Sequence, residues 1–99
     1  MPRYQVELLE EAEADARGLY VWIYEQSPAN AEKFAEAMDE AILDLGESAH
    51  IWDAKRELKR YYINRYRVTL LYRLRGDLVK VGVVMHQRQK PGYGLDRDF

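Results

Sequence analysis

RYRVTLLYRLRGDLVKVGVVMHQR, residues 65–88, specifies a β-hairpin with one apolar and one basic face. Tyr66, Val68, Leu70, Tyr72 and Leu74 alternate with Arg65, Arg67, Thr69, Arg73 and Arg75, the period of two expected of a half-buried strand. The alternation resumes after Gly76-Asp77. Glycine at the first central position of a two-residue loop suits a type II′ turn, which opposes Arg75 to Leu78 and sets the register of the hairpin. Counting outward, Leu74 faces Val79, Tyr72 faces Val81, Leu70 faces Val83 and Val68 faces Met85, so one face is wholly apolar. The opposite face pairs Arg73 with Lys80, Thr69 with Val84, Arg67 with His86 and Arg65 with Arg88. A three-residue loop would set Tyr72 against Lys80 and mix the faces, so the pattern selects the shorter turn. Like charges directly opposite one another on a sheet are destabilising. Their concentration on one face predicts an anionic partner that neutralises them.

Upstream of the hairpin, residues 58–63 read as a further strand that turns at Asn64-Arg65. That turn sends Tyr61 and Ile63 to the core with Tyr66 and Val68, and Arg60 and Tyr62 to the basic face with Arg67. Between Glu47 and Glu57 the period is lost, with Ile51 and Trp52 expected to be buried. Residues 3–9 alternate Tyr4, Val6 and Leu8 against Arg3, Gln5 and Glu7 and predict a first strand. From Glu10 the period becomes helical. Ala12, Ala16, Leu19 and Ile23 form a stripe, and Glu10, Glu11 and Glu13 sit where the helix dipole favours anions. Gly18 interrupts this helix at a cost of about 1 kcal/mol against alanine, which predicts either close packing or a weak point. Ser27 is a good N-cap and Pro28 a good first residue for a second helix. Its stripe is Ala31, Phe34, Ala35, Met38, Ala41, Ile42 and Leu45, and Gly46 is placed to end it. The tail after Gln89 reads as irregular. The order β-α-α-β-β-β, a helical hairpin packed on an antiparallel meander, predicts a two-layer α+β fold with residues 1–99 as a single domain.

The 99 residues are 47% hydrophobic and 12% aromatic, with eight tyrosines, a composition that excludes disorder. No cysteine means no disulfide framework, thiol nucleophile or thiolate metal site, and His50 and His86 alone are too few for a structural zinc. The expectation is therefore no metal and no cofactor. The opening MPRYQVELLEE lacks the apolar core of a signal peptide, and no run is long enough to span a bilayer, which predicts a cytoplasmic protein without a membrane partner. The net charge of −2 hides a division: residues 1–50 carry 12 acidic and 3 basic side chains, residues 51–99 carry 5 and 12. A basic stripe binds anions whatever the helices behind it carry.

Taken together, the YQVEL opening, EAEADARGLYVWIYEQ and SPANAEKFAEAMDEAILDL for the two helices, then KREL, RYRV, LYRL, the Gly-Asp turn and VVMHQR resemble the RelE/ParE superfamily of bacterial type II toxins. His86 and Arg88, a His-x-Arg closing an apolar strand, are similar to the ParE-like branch. What the resemblance implies is a plasmid-stabilisation-like toxin that causes growth arrest as a DNA gyrase inhibitor, held in a hetero-oligomer by a cognate antitoxin. The alternative it implies is a RelE-like endoribonuclease that cuts mRNA on the ribosome.

The candidate target-binding surface is Arg60, Tyr62, Arg65, Arg67, Arg73, Lys80, His86 and Arg88. For any one of these cations a solvated side chain is the ordinary reading, and for the clustered set a functional surface is. In the nuclease alternative Arg67 and Arg88 stabilise phosphorane charge, His86 moves a proton and Glu57 is the candidate base. Tyr93 offers a ring or a phenol from a glycine-flanked tail. It is displaced from His86, and no base is clearly placed, which favours the non-enzymatic reading. His50, Trp22 and Trp52 read as structural, and the acidic faces of the helices as solvated.

Overall fold

The computed structural model describes residues 3–52, 54, 55 and 58–99. Strand β1 (Gln5–Leu8) leads into helices α1 (Glu10–Gln26) and α2 (Pro28–Ser48), followed by β2 (Ala54–Lys55), β3 (Leu58–Ile63), β4 (Val68–Arg75) and β5 (Leu78–His86). The sheet order is β1-β5-β4-β3-β2, with β1 parallel to β5 and the other pairs antiparallel. This is the predicted α+β order with one addition, the two-residue β2, which is too short to leave a period in the sequence.

Both helices form where their caps and stripes place them. Glu10, Glu11 and Glu13 occupy the first turn of α1, and Ser27 Oγ accepts the Asn30 N–H at 3.3 Å at the start of α2, with Pro28 in the first turn. Ala12 from α1 and Phe34, Met38, Ala41 and Leu45 from α2 bury against Tyr4, Ile63, Val68, Leu70, Tyr72, Val79, Val81 and Val84 of the sheet side. Tyr72 is fully buried, and its hydroxyl donates to the Ala49 carbonyl at 2.7 Å, so the largest core side chain carries no unpaired polar atom. Burial holds its phenol well above the ordinary tyrosine range. Among the described residues no helix is long and apolar enough to cross a membrane.

Four sequence expectations change. Gly46 does not end α2, which runs on through Ser48 into a 3-10 turn at Ala49–Ile51. The Gly46 carbonyl, one of the helix's last four, accepts the Tyr4 N–H at 2.8 Å, a tertiary contact that replaces a glycine cap. Ile51, expected inside, is 67% exposed, while Trp52 is half-buried with its indole N–H on Ser48 Oγ. Strand β4 begins at Val68, because Asn64–Tyr66 form a 3-10 turn and Arg67 adopts a left-handed conformation (φ 57°, ψ 40°). Tyr66 still faces the core, edge-on to Phe34 at 5.5 Å between ring centroids.

The fourth change concerns the hairpin. The register is as predicted from Arg75↔Leu78 to Tyr72↔Val81, and Gly76 has the positive φ (61°) that a type II′ turn requires of its first central residue. Between Leu71 and Tyr72 it shifts: Leu71 pairs with Val83, Leu70 with Val84, Thr69 with Met85 and Val68 with His86, leaving Gly82 as the extra residue of a β-bulge in β5. Val84 therefore enters the main core. Val83 turns to the opposite face, where it is buried with Leu58 and Leu71 and packed by Met85, Tyr93 and Phe99. The tail accounts for this second small core. It folds back across the outer face, and Gly82 is required there, since a Cβ at that position would overlap the Phe99 ring.

Candidate functional site

The bulge and the tail divide the predicted basic face into separate places. Arg60 and Tyr62 stay on the outer face of β3, where they line a groove of about 170 Å³ with Thr69, Leu71 and Met85 of the neighbouring strands and with Tyr93 and Leu95 of the tail. Arg73 and Lys80 are the expected cross-strand pair, but the Arg73 guanidinium lies 5.3 Å over the Phe99 ring. The tail thus covers apolar surface between basic side chains that the alternation alone joined into one patch. Arg65 sits on the 3-10 turn with its guanidinium 5.6 Å from the ring of Tyr66, itself packed on α2. It does not pair with Arg88.

Arg67, His86 and Arg88 do come together, at the far end of the hairpin and on the side of α1. The Gln87 N–H donates to the Arg67 carbonyl at 3.0 Å, which holds the left-handed residue against the end of β5. The His86 N–H donates to Gln89 Oε1 at 2.8 Å, and His86 Nδ1 accepts the Arg88 N–H at 3.1 Å. The ring packs edge-on to Trp22 of α1 (5.7 Å between centroids) in a depression of about 260 Å³ with Leu19, Arg88 and Gln89. Burial, then the charges of Arg88 and Arg67, hold His86 below the ordinary imidazole range.

These contacts limit what the ring can do. With Nδ1 occupied as an acceptor, the proton of the neutral ring belongs on Nε2. His86 therefore presents a donor, while a general base needs an unprotonated nitrogen toward its substrate and a general acid needs the imidazolium that burial and two arginines oppose. Glu57, the candidate base, lies outside the described residues. Among those described, no group of three or more histidine, aspartate or glutamate side chains is placed to hold a metal ion.

The sequence reading missed Asp15. Its side chain is 6% exposed, inside a helix face taken as solvated. It accepts from Arg97 through both oxygens (2.6 and 3.1 Å), from the Tyr93 hydroxyl at 2.5 Å and from the Val84 N–H at 3.0 Å. Arg97 also donates to the Gly82 carbonyl at 3.1 Å and to the Tyr93 hydroxyl at 2.9 Å, and its Nε lies 3.2 Å from Glu11. Its pKa is raised further still, first by the Asp15 hydrogen bonds. The network has a clear role. Pairing of β1 with β5 ends at Val81, and beyond it the open edge of β5 presents a carbonyl at Gly82 and an N–H at Val84. Asp15 and Arg97 satisfy both, and the same pair ties residues 93–97 to α1. Tyr93, in the glycine-flanked tail, is fixed by it. The signal was present, since Asp15 lies three residues from Ala12 and four from Leu19, on the border of the apolar stripe. Trp22, read as structural, is 44% exposed beside His86.

A family profile described as the ParE toxin of the type II toxin-antitoxin system parDE matches residues 6–91. The chain belongs to the ParE toxin family. Among solved structures, this ParE-family chain is similar to one described as a chromosomal ParDE toxin-antitoxin system from P. aeruginosa, with a TM-score of 0.72 and 15% identity over 85% of this chain and 96% of that one. At that identity the likeness concerns the fold, the α+β order with its helical hairpin. No curated protein sequence matches the chain. The matched span of the ParE family ends at Pro91, so most of the tail that crosses the outer face lies beyond it.

Proposed function

We propose that this ParE-family protein is a toxin that arrests growth in the cytoplasm by binding DNA gyrase without catalysing a reaction of its own, and that a cognate antitoxin neutralises it in a toxin-antitoxin complex. Residues 1–99 act as one toxin domain in this reading. Family membership supports the toxin class. The observation that carries the choice of mechanism is the state of His86: its Nδ1 is taken by the Arg88 N–H, and its cationic form is opposed by burial and two arginines. Such a ring is a hydrogen-bond donor in a cationic surface, suited to recognising carboxylates or carbonyls. The target-binding residues are then Arg60 and Tyr62 on the outer face, Arg67, His86 and Arg88 at the strand ends, and Arg73 and Lys80 flanking the tail, with Arg65 the most remote.

The test is direct. Purified protein added to gyrase and relaxed plasmid should block supercoiling, and the product of the adjacent reading frame should relieve the block. Cells expressing the protein should filament while translation continues. Rapid loss of translation with mRNA cut in the ribosomal A site, and no effect on supercoiling, would replace this reading with the RelE-like nuclease.

A further inference from the structure

We propose that the C-terminal tail is one wall of the target-binding surface, and that the segment received between tail and sheet is an acidic stretch of the target protein with an apolar anchor side chain. This rests on the reading of the chain as a target-binding toxin and names the chemistry of what it binds. The groove has a floor of Thr69, Leu71 and Met85, one wall carrying Arg60 and Tyr62 from β3, and the other carrying Leu95 from the tail. Both walls are open to solvent at side chains that ordinarily seek cover: Leu95 is 53% exposed and Tyr62 45%. The volume of about 170 Å³ suits one branched aliphatic or aromatic side chain rather than a helix.

Charge selects among occupants. Among the described residues Arg60 is the only charged one lining the groove, and no acidic side chain lines it. On the same face Arg73 and Lys80 oppose one another in register, and among the described residues no ion pair involves Arg60, Arg73 or Lys80. Such a face attracts carboxylates flanking the anchor. A nucleic acid is the poorer fit, because the walls and floor are mostly apolar and, among the described residues, carry one cation for a backbone that has a charge at every phosphate. The tail wall is also held in place rather than draped. Tyr93 and Arg97 on either side of Leu95 are both bonded to Asp15, and Phe99 fills the space that Gly82 leaves on β5. A preformed wall spares the ordering cost of binding.

The experiment uses the full chain, isotope-labelled, titrated in NMR with a capped peptide of alternating glutamate and leucine, a matched peptide with lysine for glutamate, and a single-stranded oligonucleotide. The acidic peptide should shift Tyr62, Thr69, Met85 and Leu95 saturably, and the lysine peptide should not. Leu95→Glu and Leu95→Lys remove the same exposed apolar group and disturb packing alike, but place opposite charges at the wall. Leu95→Glu should bind the acidic peptide about five- to tenfold more weakly than Leu95→Lys. Equal affinities for the two variants, shifts that map elsewhere, or perturbation of these residues by the oligonucleotide and not by the acidic peptide would overturn the proposal. No gyrase is present in this titration, so failure of wild-type protein to inhibit supercoiling sinks the toxin reading separately from the groove.

Discussion

Replacing Asp15 with alanine tests whether the tail is fixed by a buried carboxylate. The substitution removes four hydrogen bonds at once: both Arg97 contacts, the Tyr93 hydroxyl and the Val84 N–H. Arg97, 15% exposed, keeps Glu11 at 3.2 Å and the Gly82 carbonyl, so its charge is not fully orphaned. Removing one partner of a buried pair costs about 3–5 kcal/mol, and the retained Glu11 contact places this case near 3 kcal/mol. That is a large part of the ~5–15 kcal/mol by which a domain of this kind is stable, and at ~4–8 °C per kcal/mol it lowers Tm by about 12–24 °C. Arg97→Ala should cost less, because Asp15 retains Tyr93 and Val84. The double variant should be more stable than the sum of the single costs implies, since each change removes the same pair. Thermal unfolding followed by circular dichroism at pH 7 reads all four proteins. A Tm loss under about 4 °C for Asp15→Ala, or strictly additive costs, would show that the tail is not fixed by this carboxylate.

Three other substitutions have definite outcomes. Gly18→Ala should raise stability by about 0.5–1 kcal/mol in urea unfolding, since a Cβ there meets nothing within 4 Å and only helix propensity changes; a loss would show that something packs against this turn. Arg67→Gly relieves a left-handed residue, so stability should hold or rise by up to about 1 kcal/mol while gyrase inhibition weakens; a marked fall in Tm would contradict the backbone conformation. His86 has its folded pKa below about 6.5, so between that depressed value and 6.5 the unfolded chain binds a proton that the folded chain does not. Stability from this group is present above the window and is lost as pH falls through it. Urea midpoints at pH 5 and 7.5 should therefore drop more on acidification for wild type than for His86→Gln. The same variant should remain toxic at matched expression, and near-complete loss in a protein that still folds and binds its antitoxin would restore a catalytic histidine.

Where one face of a strand is wet and the other dry, the sequence was readable. Arg73, Arg75 and Lys80 against Tyr72, Leu74 and Val79 specified both the Gly-Asp turn and the register near it. Past Val81 the run VGVV is apolar on both faces, because the tail makes the second face dry as well, and alternation then carries no information about which valine points where. Gly82 inside a strand was the available sign of a bulge. The error at Gly46 has another origin: its carbonyl is satisfied by the Tyr4 N–H, a contact 42 residues away in the chain that no local pattern reports. For the site, the grouping of Arg67, His86 and Arg88 was legible because all three close the hairpin. Arg65 was misplaced because residues 64–67 form a 3-10 turn and a left-handed step instead of continuing the strand. Asp15 was lost by treating every carboxylate on α1 as solvated.

A gyrase supercoiling assay with purified wild-type and His86→Gln proteins, each with and without the adjacent-frame antitoxin, separates a toxin that acts by binding from one that cuts. Both should block supercoiling within a few-fold of one another, and antitoxin should abolish both effects. Full supercoiling in the presence of folded wild-type protein at concentrations that arrest growth would contradict a toxin that acts by binding gyrase.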